Sequence, residues 1–107
     1  MLIFFEQLQN KLETILITYG FSAERAKLCA NIFAANSRDG VHSHGLNRFP
    51  AFIEHVKERL IKIHATPEVI NREGVIEHWD GKLAPGMYTA TLAMQQAVAI
   101  AKEFPQF

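Results

Sequence analysis

The residues best suited to chemistry lie in one short polar segment, Ser43–Arg48, with the sequence SHGLNR. Arg48 offers a planar pair of donors that fits a carboxylate bidentately. His44 belongs to the residue type that gives or takes a proton near neutral pH. Ser43 adds a hydroxyl, and Gly45 leaves room for a ligand and widens the choice of backbone conformation. The segment could therefore hold a carboxylate and transfer a proton.

The same segment also has a purely structural interpretation. Ser43 and Asn47 could cap the next helix, Arg48 could be a solvated charge, and His44 could bond a backbone carbonyl. The choice depends on where that helix begins. A start at Asn47 would aim its free amides and the Arg48 guanidinium at an anion near His44. A start at Pro50 would leave the direction of Arg48 open.

His42 and His44 form a His-x-His pair, which in an extended segment would point two imidazoles to the same side. Two nitrogens from such a pair could bind a metal. The other histidines, His55, His64 and His78, are scattered along the chain, and no carboxylate stands at a recognisable ligand spacing. The sequence therefore predicts no metal site.

The charge balance limits the classes of partner. The 107 residues include 11 basic and 11 acidic side chains, which gives zero net charge. Nucleic acid and anionic membrane surfaces attract proteins that concentrate a basic surplus on one face. The composition therefore indicates neither nucleic acid nor a membrane as partner, and an anionic ligand must be recognised locally.

Two further features indicate a cytoplasmic protein. The apolar start of the chain reaches Glu6 without a basic lead-in, so we expect no signal peptide, and no apolar run approaches the ~18 to 20 residues of a membrane span. Cys29 is the single cysteine, which excludes an intramolecular disulfide and fits a reducing compartment. Its place on the apolar side of a predicted helix favours a packed core residue over a nucleophile.

Hydrophobic spacing predicts a mainly helical α+β fold in a single domain over residues 1–107. Three helices come first, followed by a small β-hairpin and a fourth helix. The expected bounds are a first helix from Phe5 to Gly20, a second from an N-cap at Ser22 to Asp39-Gly40, a third from about Pro50 to Leu60, a hairpin from Pro67 to Trp79 turning around Asn71 to Gly74, and a fourth helix from about Met87 to Phe104.

The six glycines include no Gly-x-Gly pair. The sequence thus lacks both the Rossmann dinucleotide fingerprint and a phosphate-binding P-loop. Residues that bind a cofactor cannot be named from this pattern.

The segment Gly40–Pro50 closely resembles a segment near the N-terminus of the malate/L-lactate dehydrogenase family, the branch unrelated to the Rossmann-type lactate and malate dehydrogenases. Its Ser-His-Gly-x-x-Arg core is joined to matching helical segments, so that the resemblance runs from about Phe5 to Phe104. Asn47–Pro50 and Ile76–Asp80 are most similar to the members that reduce 2,3-diketo-L-gulonate.

The resemblance implies the N-terminal part of the non-Rossmann malate/L-lactate dehydrogenase fold, in a cytoplasmic, homodimeric oxidoreductase. Such an enzyme transfers a hydride between NAD or NADP and a 2-oxo or 2-hydroxy acid of the 2,3-diketo-L-gulonate, malate or lactate type. His44 matches the catalytic proton donor. Arg48 matches a position that binds the substrate carboxylate, and Ser43 one that donates a hydrogen bond to the substrate.

Members of the family continue past the point that matches Phe107 into a large domain that carries most cofactor contacts. The resemblance therefore implies that this chain is a segment of a longer dehydrogenase, without the cofactor-binding domain and inactive on its own. The alternative is a noncatalytic, truncated helical module for dimerisation or interaction, whose apolar helix faces would pack against a second chain.

Overall fold

The structure, a computed structural model, describes residues 5–41 and 44–106. The predicted order of three helices, a hairpin and a fourth helix is confirmed. The elements are α1 (Phe5–Thr18), α2 (Ala23–Arg38), α3 (Phe49–Lys57), β1 (Glu68–Glu73), β2 (Ile76–Asp80) and α4 (Gly86–Glu103).

The chain divides into two compact units between His64 and Ala65. The first contains α1 to α3 and the second contains the hairpin and α4. That residues 1–107 act as a single domain stays a prediction. Among the described residues, no helix has the length and apolar character needed to cross a membrane.

The core of the first unit forms where α1 and α3 place apolar side chains against α2. Phe33 of α2 contacts the rings of both Phe49 and Phe52, with centroids 5.2 Å away in each case. Edge-to-face pairs of this kind add stability beyond the area that they bury. The buried apolar residues of this unit are Leu12, Leu16, Phe21, Ala26, Cys29, Ala30, Phe33, Ala34, Phe49, Phe52 and Ile53.

Both ends of α2 are capped. The Ser22 hydroxyl accepts a hydrogen bond from the Arg25 amide at 3.3 Å, which confirms the predicted N-cap. At the other end the Asp39 amide donates to the Ala35 carbonyl, and Gly40 follows with a φ of +83°. Glycine reaches this left-handed conformation without strain, so the chain reverses here.

The third helix is shorter than predicted. It ends at Lys57 rather than about Leu60, because Arg59 adopts a φ of +60° that α-helix geometry does not allow. The three- and four-residue spacing of apolar residues predicts one apolar face on the first helix that includes Ile15 and Tyr19. Both side chains are exposed, so the buried part of that face is narrower.

The hairpin turns later than the sequence indicated. Glu73 pairs with Ile76, so the turn consists of Gly74 and Val75, and Asn71 belongs to β1. Gly74 has a φ of +60°, which fits a two-residue hairpin turn. The strands pair antiparallel, with a register irregularity between Val69 and Asn71.

An apolar groove of about 570 Å³ lies between the hairpin and α4 in the second unit. The helical spacing of apolar residues predicts an apolar face on the fourth helix that includes Ala93 and Ala97. Both residues are exposed and line this groove. The groove is lined by Val75, Ile76, Glu77, Trp79, Ala93, Gln96, Ala97, Ile100, Ala101 and Phe104.

Candidate functional site

The loop that carries His44 and Arg48 connects α2 to α3. It begins with a hydrogen bond from the Val41 amide to the Asn36 carbonyl at 2.8 Å. The His44 amide then donates to the Val41 carbonyl at 3.1 Å. Leu46 to Arg48 form a single 3-10 turn that leads directly into α3. The described residues of the loop, Val41 and 44–48, are therefore tied to the ends of two packed helices by backbone hydrogen bonds.

The structure places the start of α3 between the two alternatives considered above. The helix begins at Phe49, and Arg48 is its N-cap without a side-chain capping bond. The Arg48 amide donates to the Gly45 carbonyl at 3.0 Å, inside the 3-10 turn. Asn47 is therefore not the N-cap, and Arg48 stands at the junction of turn and helix.

The side chains of His44 and Arg48 are both exposed. The Arg48 guanidinium makes no hydrogen bond or ion pair with any other residue in the described part of the chain. An unpaired guanidinium retains all its donors for a carboxylate or phosphate. Ser43, the third predicted site residue, lies outside the described residues, so its role stays a prediction.

Two side chains of the last turn of α2 hold the loop. The Asn36 side-chain amide donates to the His44 carbonyl at 3.1 Å, and the Ser37 hydroxyl accepts from the Leu46 amide at 2.7 Å. Sequence reasoning missed both residues. Polar side chains near the end of a helix have the same signature as a solvated helix face, so the pattern alone could not select them.

Gly45 is buried against Ser37, which changes the explanation for a glycine at this position. A Cβ on Gly45 would overlap the Ser37 hydroxyl oxygen and lie 2.8 Å from the Ser37 nitrogen. Its φ is −98°, so left-handed backbone is not the reason for glycine here. The prediction that glycine leaves room for a ligand is wrong in this respect, because the space is taken by α2.

The charged residues at the C-terminal end of α2, Arg38 and Asp39, already have interaction partners. Arg38 forms an ion pair with Asp39 at 3.1 Å, and its guanidinium lies 4.5 Å from the centre of the Phe5 ring. Exposed pairs of this kind contribute little stability, whereas a cation over an aromatic face contributes somewhat more. Arg48 is thus the arginine next to His44 that remains available to an anion.

Cys29 is fully buried in α2. Burial raises the pKa of its thiol to about 12, and the nearby Arg25 opposes this shift only in part. A thiol that stays protonated is a poor nucleophile. The prediction of a packed core residue is confirmed.

Among the described residues, no three His, Cys, Asp or Glu side chains are placed to hold a metal ion. His42, one half of the His-x-His pair, lies outside the described residues. The absence of a metal site from the whole chain therefore stays a prediction.

Comparison with known proteins identifies the family. The profile of the malate/L-lactate dehydrogenase family matches residues 3–105. This chain belongs to the malate/L-lactate dehydrogenase family. The resemblance seen in the Ser-His-Gly-x-x-Arg segment is confirmed.

Similar family members include the 2,3-diketo-L-gulonate reductases. The protein of that name from Citrobacter koseri is 40% identical over 99 residues, which cover 92% of this chain and 30% of the relative. The Escherichia coli reductase is 39% identical with the same coverage. The predicted similarity to this branch is confirmed, and the chain spans about 30% of the length of the relatives that it matches.

Solved structures confirm the predicted fold class. The chain matches malate dehydrogenase from Pyrococcus horikoshii with a TM-score of 0.92 at 22% identity, covering 97% of this chain and 30% of the other. It matches sulfolactate dehydrogenase from Methanocaldococcus jannaschii with a TM-score of 0.89 at 27% identity, covering 95% and 30%.

Proposed function

We propose that this chain supplies the substrate-binding and proton-transfer residues of a cytoplasmic, NAD- or NADP-dependent oxidoreductase that reduces a 2-oxo acid. The observation that carries the proposal is the loop between α2 and α3, which presents an exposed His44 and an Arg48 guanidinium that pairs with no other described residue. Membership of the dehydrogenase family and the names of its relatives support the same reaction class.

In the reductive direction, Arg48 binds the substrate carboxylate through two parallel N–H···O bonds. Protonated His44 gives its proton to the carbonyl oxygen, which becomes the hydroxyl of a 2-hydroxy acid, and the imidazole is left neutral. Positioned proton transfer of this kind contributes on the order of 10² to 10⁴ in rate. Ser43 donates a hydrogen bond to the substrate.

The nicotinamide, when bound, supplies the hydride that reaches the carbonyl carbon. The described residues do not form a recognisable cradle for its pyrophosphate. The sequence has no Gly-x-Gly pair, and the N-terminus of α4 follows Pro85 instead of a glycine-rich loop. We therefore assign no cofactor-binding residue to this chain and expect no turnover from these 107 residues alone.

The kinetic test uses a chimaera in which this chain replaces the matching 30% of the Escherichia coli 2,3-diketo-L-gulonate reductase. We expect His44→Gln to lower kcat for NADH-dependent reduction by about 10² or more. His55→Gln, which changes an exposed histidine of α3, is the matched control and should retain turnover. Near-normal kcat in the His44 variant would contradict the proposal.

A binding test uses the 107-residue chain itself. Titration with pyruvate should shift the NMR signals of His44 and of the Arg48 side chain. Acetate has the carboxylate but lacks the 2-oxo group, so it should shift the signals of Arg48 more than those of His44. Arg59→Gln removes an exposed arginine outside the loop and serves as control. Absence of any pyruvate response at both residues would contradict substrate binding.

The rival function is a noncatalytic dimerisation or interaction module. One observation favours it, namely the apolar groove beside α4, together with the exposed Met94 and Val98 on the same helix. Surfaces of this type occur at protein interfaces. Sedimentation of the wild-type chain would show whether it forms a homodimer. If Val98→Glu converts that homodimer to a monomer without changing pyruvate binding, the interface and the site are both present. A Val98→Glu monomer of a chain that gives no pyruvate response would favour the rival.

A further inference from the structure

We propose that Asn36 and Ser37, in the last turn of α2, are positioning residues that orient the imidazole of His44. The proposal deepens the function proposed above and rests on His44 as the proton donor. Neither residue belongs to the Ser-His-Gly-x-x-Arg segment, and both are half-buried where the loop meets the helix.

The two side chains hold the two peptide groups on either side of Gly45. Asn36 donates to the carbonyl of the His44–Gly45 peptide at 3.1 Å. Ser37 accepts from the N–H of the Gly45–Leu46 peptide at 2.7 Å. Because each peptide group is planar, fixing one atom of each plane restricts the torsion angles around Gly45 and the ψ angle of His44. That backbone sets the direction of the His44 Cα–Cβ bond, and the χ1 rotamers open to the imidazole depend on the backbone torsion angles.

The close packing of Gly45 adds a steric stop. The position that a Cβ would take lies 3.0 Å from the Ser37 Cα and closer still to its hydroxyl oxygen. The loop backbone is therefore seated directly on α2 and cannot move toward it. The two hydrogen bonds oppose movement away from α2, so the loop is held from both sides.

A capping role for these side chains does not explain their contacts. The backbone itself closes the end of α2, since the Asn36 carbonyl accepts from the Val41 amide at 2.8 Å and the Ser37 carbonyl from the Gly40 amide at 3.4 Å. The side chains are thereby left for the loop. A proton donor must be held close to its productive geometry, and a displacement of about 1 Å can reduce rate by about 10².

The test measures the loop in the 107-residue chain by NMR. Loss of one hydrogen bond in Ser37→Ala should speed exchange of the Leu46 amide about tenfold. The three-bond couplings of the His44 β-protons should move from values of one dominant χ1 rotamer toward averaged values. Ser37→Thr, which keeps the hydroxyl, should restore both readouts. Asn36→Ala should average the His44 couplings in the same way.

Two controls on α2 separate positioning from general stability. Asn31→Ala removes an amide that donates to Gln9 at 3.1 Å, far along the helix from the loop. Ser22→Ala removes the N-cap and lowers the melting temperature, because an N-cap contributes about 1 kcal/mol. Both should leave the His44 couplings unchanged.

Unchanged Leu46 exchange and unchanged His44 couplings in Ser37→Ala and Asn36→Ala would overturn the proposal. Equal averaging in Ser22→Ala would also overturn it, because the effect would then follow stability. Failure of the proposed function has a different signature. If the proposed function fails, pyruvate shifts no NMR signal of His44 or Arg48 in the wild-type chain. The His44 β-proton couplings would still differ between the wild type and the Asn36 and Ser37 variants.

Discussion

Phe33 and Phe49 pack edge to face, with ring centroids 5.2 Å apart and ring planes at 86°. Phe33 lies one helical turn before Ser37, and Phe49 comes directly after Arg48. This single aromatic contact therefore ties both flanks of the loop to the core of the first unit. The position of the candidate site depends on the packing of α2 against α3.

Phe49→Ala should lower the free energy of unfolding of the first unit by about 3 kcal/mol, because removing a buried aromatic ring leaves a cavity. Urea unfolding followed by far-UV circular dichroism measures the change. The matched control is Leu60→Ala in the same unit, which truncates a side chain that is 55% exposed and should change stability by less than about 0.5 kcal/mol. A similar loss in both variants would contradict the assigned packing.

Gly45→Ala should lower stability by about 1 to 3 kcal/mol, because the added methyl group overlaps Ser37 and forces the loop away from α2. Gly86→Ala is the control, since a Cβ at the start of α4 meets nothing within 4 Å. Alanine is the better helix former, so that variant should gain up to about 1 kcal/mol. Thermal unfolding of the two variants should therefore shift in opposite directions, and a stable Gly45→Ala protein would show that the loop does not need this close approach.

The order of elements was predictable because each helix and strand carries its own local signal. Ser22 at an N-cap and Gly74 in a β-turn are examples, since each residue type has a specific physical reason to occur there. The turn at Gly74 was nevertheless placed too early, because Asn71 is a frequent turn residue that here pairs within β1. Register depends on cross-strand contacts that a local pattern does not contain.

The site was predictable only in part. The chemical types of His44 and Arg48 drew attention to the loop, and both side chains are exposed as a site requires. The contacts of Asn36 and Ser37 depend on how the loop folds back over α2, which is tertiary information. The sequence did not show why residue 45 is glycine for the same reason, since its neighbour in space, Ser37, is eight residues away in sequence.

Cys29→Ala should remove a dependence of stability on alkaline pH. The thiol ionises near its ordinary pKa of 9.0 in the unfolded chain, whereas burial raises its pKa to about 12 in the folded protein. Unfolding therefore releases a proton between these values. The stability from the protonated thiol is fully present below pH 9 and is lost as the pH rises toward 12.

Urea unfolding at several values between pH 7 and 10.5 tests this effect. At pH 7 the wild type should be more stable than Cys29→Ala by about 1 kcal/mol, because the variant loses a buried atom. The difference should shrink above pH 9, since only the wild type carries the titrating thiol. Parallel curves across the range would argue against a buried, protonated Cys29.

Glu77→Gln should remove a dependence on acid pH in the second unit. The Glu77 side chain is 7% exposed and accepts hydrogen bonds from the Trp79 indole and the Gln96 amide, each at 2.9 Å. These bonds favour the ionised form and hold the pKa of Glu77 below its ordinary value of 4.5. The stability from the carboxylate is therefore present above pH 4.5 and is lost as the pH falls through the lowered pKa.

The fluorescence of Trp79, the single tryptophan, reports unfolding of this unit. Between pH 7 and pH 3, wild-type stability should fall more steeply than that of Glu77→Gln. Glu73→Gln changes an exposed carboxylate of β1 and should keep the wild-type slope. If the Glu73 variant flattened the curve instead, the acid sensitivity would belong to another group.

Arg48→Lys should weaken binding of pyruvate to this chain about tenfold, although the positive charge is kept. Lysine cannot form the two parallel hydrogen bonds by which guanidinium holds a carboxylate, and the lost bond is the physical reason for the expected change. The dissociation constant, measured from NMR shifts at His44, provides the test. Arg59→Lys makes the same exchange at an exposed arginine outside the loop and should leave binding unchanged. Equal affinities in wild type and Arg48→Lys would mean that Arg48 contributes only charge, and that another group orients the substrate carboxylate.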